Sequence, residues 1–178
     1  MMTDILAMKF FLGIGQDHRG RYIFEYINAT DDWLEITHDY IQWAFPNFVP
    51  GMNRYAPLMT NRLTLFIKTN PVAHYYSMKM FERMMLFYGF SFIKEGDRKG
   101  VCLKRNSFNR FFRWTTPHNH NYLRITRILL FMNSIGEQKW SSTLFLLLSR
   151  LDKKYNLFPD RTNHFWRSAC FSKGKQSY

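Results

Sequence analysis

The sequence predicts a mainly α fold: a single multi-helix domain of about seven or eight helices with one small β-hairpin. Three observations predict it. Apolar residues make up 46% of the 178 positions and aromatics 19%, enough to bury a core and too many for a disordered chain. Most apolar positions recur at helical spacing. Helix starts and stops recur along the chain: Thr30 before Asp31 and Asp32, Asn70 before Pro71, then Gly89 and Gly136. The domain is expected to span residues 1–172, with 173–178 as a flexible tail.

In order, Asp4–Phe11 and Arg19–Ile27 read as short core-docking helices. Thr30 then caps a helix running to about Phe45, because Pro46 disfavours helical geometry in the residue before it. On a helical wheel Trp33, Leu34, Ile36, Thr37, Tyr40, Ile41, Trp43 and Ala44 fall on one broad side. Asp31, Glu35, His38, Asp39 and Gln42 fall on the other. Pro46–Pro57 is a loop punctuated by proline and glycine. Thr60 caps a helix of about two turns with Leu63, Phe66 and Ile67 inward.

Asn70-Pro71 opens a helix that reaches Tyr88 and stops at Gly89, with Val72, Tyr75, Tyr76, Met80, Met84 and Phe87 at helical spacing. Met78, Met80, Met84 and Met85 read as core filler, with an adaptable binding face as the alternative. Phe90–Arg105 is the hairpin, turning through Gly96-Asp97-Arg98-Lys99-Gly100. A short helix covers Asn106–Trp114, and Thr115–Asn119 is a loop. The helix Asn121–Ile135, closed by Gly136, is apolar nearly all round and so expected to be central. A helix over Lys139–Lys154 carries Leu144, Leu147, Leu148 and Leu151. A last helix spans Asp160–Phe171.

Bulk composition narrows function. The net charge of +12 favours anionic partners, whether nucleic acid, an acidic protein face or a membrane surface. The apolar runs fall well short of the ~18 residues of a transmembrane helix, and the N-terminal stretch lacks a basic segment, so no signal peptide is expected. Cys102 and Cys170 form no framework and read as free thiols in a reducing compartment, the cytoplasm or, in a eukaryote, the nucleus.

Chemical motifs are sparse. Glu35-Ile36-Thr37-His38 spells Glu-x-x-His, half of a di-iron site, but no other glutamate has a histidine three residues on. His118-Asn119-His120 could ligate a metal, yet no cysteine or carboxylate lies close in sequence; His120 and Asn121 read better as the cap of the following helix. No metal or other cofactor is expected. GxSxG, P-loop and GxGxxG motifs are absent. Between Asp97 and Glu137 there is no carboxylate, while Arg98, Lys99, Lys104, Arg105, Arg110, Arg113, Arg124 and Arg127 accumulate. Phe108, Phe111, Phe112 and Trp114 interleave with them. Arg98, Lys99, Lys104, Arg105, Arg110 and Arg113 are therefore candidates for nucleic-acid contact; a solvated basic face over core aromatics explains them equally well.

Several segments resemble one known family. His38–Pro46, HDYIQWAFP, resembles the HxYIQWLFP signature of the opioid growth factor receptor conserved region. Pro50–Asn53 with Ala56–Thr60 is similar to its PGVN…APLT segment, and Phe87-Tyr88-Gly89 to its FYG. Trp114 followed by His120–Leu129, HNYLRITRIL, is similar to its W…HNNLRITRIL. The similarity covers roughly Met8 to Tyr155; Ala44 replaces the usual leucine, and two extra residues precede His120.

The resemblance implies a non-enzymatic binding and regulatory module with a peptide or protein partner. In the family the ligand is an opioid growth-factor peptide that restrains proliferation at the nucleus. Glu35, His38, Gln42, Trp43, Asn53, His120, Asn121, Arg124 and Arg127 are the candidates for ligand or partner contact. The helix ending at Phe45 is expected near the helix starting at His120, so that Glu35, His38, Asp39 or Gln42 meets Arg124 or Arg127. The alternative function is RNA or DNA binding, and a third is an enzyme using His38 or His120.

Overall fold

The computed structural model describes residues 2–95, 98–104 and 107–171. The expected hairpin turn at Gly96 and Asp97, the residues Arg105 and Asn106, and the expected tail from 173 lie outside the described residues. Among the described residues are ten helices and one two-stranded antiparallel sheet, so the fold is mainly α. The chain groups into two compact units that divide between Met84 and Met85, inside one long helix.

The first unit holds α1 (Met2–Phe11), α2 (Ile23–Asn28), α3 (Asp31–Ile36), α4 (Ile41–Ala44), α5 (Asn61–Thr69) and most of α6 (Pro71–Phe87). Polar caps begin three of them. Thr30 Oγ1 accepts from Trp33 N, Thr60 Oγ1 from Leu63 N, and Asn70 Oδ1 from Val72 N and Ala73 N. Thr60 also donates to the buried Asp4 carboxylate at 3.0 Å, tying α1 to the start of α5. Ala7, Phe10, Ile23, Tyr26, Leu34, Tyr40, Leu63, Ile67 and Met80 make the core.

Helix α2 begins at Ile23, not Arg19. The Asp17 side chain accepts from the backbone N–H groups of Arg19 and Arg21, and this local bonding holds the segment in turns instead of a helix. The helix expected over Thr30–Phe45 is two helices with a break at Thr37–Tyr40. Thr37 is extended (φ −80°, ψ 126°) while its N–H closes α3 on Trp33 O. The β-branched pair Ile36-Thr37, followed by His38 and Asp39, is weakly helical, and tertiary demand decides. The break buries Tyr40, whose hydroxyl reaches Leu34 O and Met84 Sδ. It also undoes the wheel: Ile36 is 75% exposed and Gln42 only 9%. In α6 the buried line is Ala73, Ser77, Met80, Phe81 and Met84, while Val72 and Tyr75 are exposed. The turn after α1 comes close to α6: a Cβ on Gly13 would lie 3.0 Å from the Tyr76 ring. Met80, Met84 and Met85 are fully buried core filler.

The second unit begins with the end of α6 and the hairpin, β1 (Phe90–Glu95) paired with β2 (Arg98–Leu103) from Phe90↔Leu103 to Glu95↔Arg98. Then come α7 (Phe108–Arg113), α8 (Asn121–Ser134), α9 (Gln138–Tyr155) and α10 (Asp160–Phe171). Helices α8, α9 and α10 pack on one another, and β2 lies against α9. The core of α8 is Ile125, Ile128, Leu129, Phe131 and Met132, but Leu123 is 74% exposed, so α8 is not buried all round as expected. Its first turn is also not capped by His120 or Asn121. His120 makes no side-chain cap bond, and Asn119 Oδ1 accepts from Asn121 N instead. Both cysteines are free thiols. No described helix is long and apolar enough to cross a membrane.

Gly89 joins α6 to the hairpin at φ +87°, a left-handed conformation costly for residues with a Cβ. An added Cβ would also stand 3.1 Å from Ser107 O and 3.3 Å from Phe111 N. Gly89→Ala is expected to cost about 1–2 kcal/mol in the backbone alone, read by denaturant unfolding. A variant as stable as the parent would show that this turn can relax.

Candidate functional site

In the first unit the expected ligand-facing residues build a loop support. Gln42 ends up buried because its side chain has a use inside: Oε1 accepts from Asn53 N at 2.9 Å. Asn53 Nδ2 donates to Asp39 O at 2.9 Å, and Asn53 Oδ1 accepts from Tyr55 N at 3.0 Å. Two of the segments that carried the resemblance, around His38–Pro46 and Pro50–Asn53, are thus hydrogen-bonded to each other. Trp43 is buried as well; its ring lies edge-on to Phe10 and parallel to His18. His18 in turn stacks on Tyr55, with centroids 5.3 Å apart. Asp39 and Gln42, two of the groups expected to reach for Arg124 or Arg127, spend these polar atoms inside their own unit.

Below the loop sits a charged cluster. Asp17, with a fully buried side chain, accepts from Arg21 Nε and Nη2, and from the Tyr26 hydroxyl. Arg21 Nη2 also bridges to Asp39 Oδ1 at 2.9 Å. Arg19 Nε and His18 Nε2 approach Asp39 Oδ2 at 3.4 and 3.5 Å. Burial alone would raise the Asp17 pKa, but the bonds from Arg21, Tyr26 and the backbone outweigh it, and the carboxyl is held below its ordinary range. Burial would likewise lower Arg21, and its two carboxylates hold it charged. Burial, then the bond to Asp17, push the Tyr26 phenol up. The cluster is charged but internally matched, and it fixes Asp39 under the loop.

What this frame presents is apolar. The loop over 47–58 carries Phe48, Val49, Tyr55 and Leu58 exposed, and Met52 is 99% exposed. Ala56 N→Asn53 O and Met59 N→Asn47 O fold the loop back on itself.

His38 sits exposed in the break, beyond the end of α3. Glu35 and His38 therefore do not share a helix, and the Glu-x-x-His reading fails on geometry. Among the described residues no group of three His, Cys, Asp or Glu is placed to hold a metal.

In the second unit Asn121 is fully buried; its Oδ1 accepts from Arg124 Nη1 at 3.1 Å and faces the Tyr88 hydroxyl at 3.5 Å. Arg124 is buried too. Burial lowers the Arg127 pKa. His120 is half-buried at the entrance to α8. Of the basic candidates, Lys104, Arg110 and Arg113 are exposed. The side chains of Arg98 and Lys99, and all of Arg105, lie outside the described residues. The interleaved aromatics divide by face: Phe111 and Trp114 are core, whereas Phe108 and Phe112 are exposed.

Sequence reading missed Asp17, His18, Arg21 and Tyr26. The only local hint was a run of charge interrupted by Gly20. The partners that give it meaning, Asp39 and Tyr55, lie far along the chain.

The residues 8–169 match the family model described as the opioid growth factor receptor conserved region. The chain is 34% identical over 113 residues to the rat opioid growth factor receptor, covering 64% of this chain and 19% of that protein. It is 33% identical over 129 residues to the mouse opioid growth factor receptor-like protein 1, covering 70% and 27%. With the Xenopus tropicalis opioid growth factor receptor-like protein 1 the identity is 30% over 163 residues, covering 89% and 31%. The chain thus spans less than a third of the length of these relatives. No solved structure matches it. With a family-model match over nearly its whole length, the chain belongs to the opioid growth factor receptor conserved-region family.

Proposed function

We propose that the chain is a non-enzymatic binding and regulatory module of the cytoplasm or nucleus that engages a peptide or protein through the 47–58 loop. One observation carries this reading. The signature residues Gln42 and Asn53 are spent on holding a loop whose outer side is apolar and exposed. Enzymes keep polar groups convergent on an open site; here the side chains of Gln42 and Asn53 are turned inward onto backbone groups. The relatives carry the names of receptors, which agrees with a binding role. Glu35 and His38 flank the same unit and are candidates for the polar rim of the contact.

Opioid growth factor itself is the first peptide to try, since the relatives are named for it. The expected result is saturable binding in calorimetry, weakened roughly tenfold or more by Met52→Ser with Phe48→Ser, because buried anchors carry most interface energy. An unchanged affinity in that variant would reject the loop as the contact.

The second reading is nucleic-acid binding by the second unit, and charge distribution favours it. Residues 1–84 hold eight basic and eight acidic side chains, while 85–178 hold seventeen and five. The whole net charge of +12 therefore belongs to the second unit.

A further inference from the structure

We propose that the second unit carries a stacking site for single-stranded nucleic acid on the rings of Phe108, Phe112 and Tyr155, flanked by Arg113 and Lys154. The proposal rests on the nucleic-acid reading above and adds the site and the strand state.

Helix α7 is short, and its inner side is anchored. Phe111 is fully buried against Phe90 and Trp114, and Trp114 Nε1 donates to Tyr88 O at 3.2 Å. Arg110 Nη1 donates to Leu86 O at 3.0 Å, which pins the helix from the outer side as well. On this fixed platform Phe108 and Phe112 stand one turn apart, 45% and 40% exposed. Their rings are near-parallel, with centroids 6.3 Å apart and 22° between planes. Phe112 meets the edge of Tyr155 at 5.8 Å, and Lys154 Nζ lies 5.0 Å from the Tyr155 centroid. Lys104, Arg113, Arg150, Lys153 and Lys154 are all exposed on this unit.

Exposed phenyl rings cost solubility unless something covers them. Two classes of partner present themselves, apolar and anionic. Exposed rings with Lys154 beside one of them, on a unit with seventeen basic and five acidic residues, suit a ligand with flat apolar faces and a charged backbone. Single strands offer both. In a duplex the base faces are already stacked on one another, and only groove edges and phosphates remain to be read.

The test is fluorescence anisotropy of the full chain with a short labelled oligothymidine at two salt concentrations, beside the same length of duplex and vesicles of anionic lipid. Single-strand binding at low salt that falls steeply with salt is expected. Phe108→Leu with Phe112→Leu keeps the apolar volume but removes the stacking faces. It should weaken binding roughly tenfold or more with an unchanged salt slope, and an unchanged circular dichroism melt shows the fold intact. Arg113→Gln and Lys154→Gln should each reduce the salt slope by about one. Equal binding of duplex and single strand, or an undiminished affinity in the leucine variant, overturns the stacking site and leaves general nucleic-acid binding standing. Absence of oligonucleotide binding at low salt overturns both. Capture by anionic vesicles without oligonucleotide binding also overturns both, in favour of a membrane surface.

Discussion

Trp166→Ala is expected to lower the thermal midpoint of the chain by roughly 10 °C, the loss of about 3–5 kcal/mol from a buried indole. Trp166 lies on α10, fully buried, in a cluster with Tyr122 and Phe158; centroid separations are 5.8 and 4.8 Å. Phe158 also stacks on Trp114 at 5.9 Å, so the cluster joins α10, α8 and the end of α7. The indole N–H donates to Tyr122 O at 3.1 Å. Removing the ring takes away apolar burial and leaves a cavity that helices fastened at both ends cannot close. Asn133 Nδ2 holds Ala169 O and Cys170 O at one end, and Asp152 accepts from Leu157 N, Phe158 N and Asn163 Nδ2 at the other. A calorimetric midpoint within a degree or two of the parent would mean that α10 does not stabilise the second unit.

Asp17→Asn is expected to cost the first unit about 3 kcal/mol at neutral pH, the lower end for removing one partner of a buried ion pair, because Arg21 keeps Asp39. The pH dependence identifies the cause. The folded state holds the Asp17 carboxyl below its ordinary value of 3.8. Between the folded value and 3.8 the unfolded chain binds more protons, so stability rises with pH in that window. The contribution is fully present above the ordinary carboxylate range and is lost as pH falls through the folded value. The gap between parent and Asp17→Asn, measured by urea unfolding, should be full at pH 7 and shrink under strong acid. A gap that stays constant with pH would point to packing and against the ion pair.

Most of the helical spans and the hairpin are readable from local signals because those signals act over a few residues. Thr30, Thr60 and Asn70 each cap the helix that follows them, and the last helix runs over Asp160–Phe171 as read. The family was readable too, from HDYIQWAFP, PGMN and HNYLRITRIL. The candidate site was read less well. The sequence puts Gln42 and Trp43 among the contact candidates, and the structure buries both. The exposure of the apolar loop beside them is not legible in the sequence, since exposure is not a property of composition. The same holds in α7, where four interleaved aromatics look alike in sequence and divide two inward and two outward in the fold.

By itself the sequence determined that the chain is mainly helical, where most of its helices start, that one hairpin interrupts them, and which family the chain joins. Caps, glycine stops and apolar periodicity are short-range causes, and each acts without knowing the rest of the chain. Only the tertiary structure decided that the signature helix breaks at Thr37–Tyr40, that Asp39 turns to Arg21, and that Gln42 is buried to hold Asn53. Those outcomes depend on partners from 11 to 44 residues away. Hydrogen bonds and burial gained at that distance outweigh a local helical preference of a few tenths of a kcal/mol per residue, roughly.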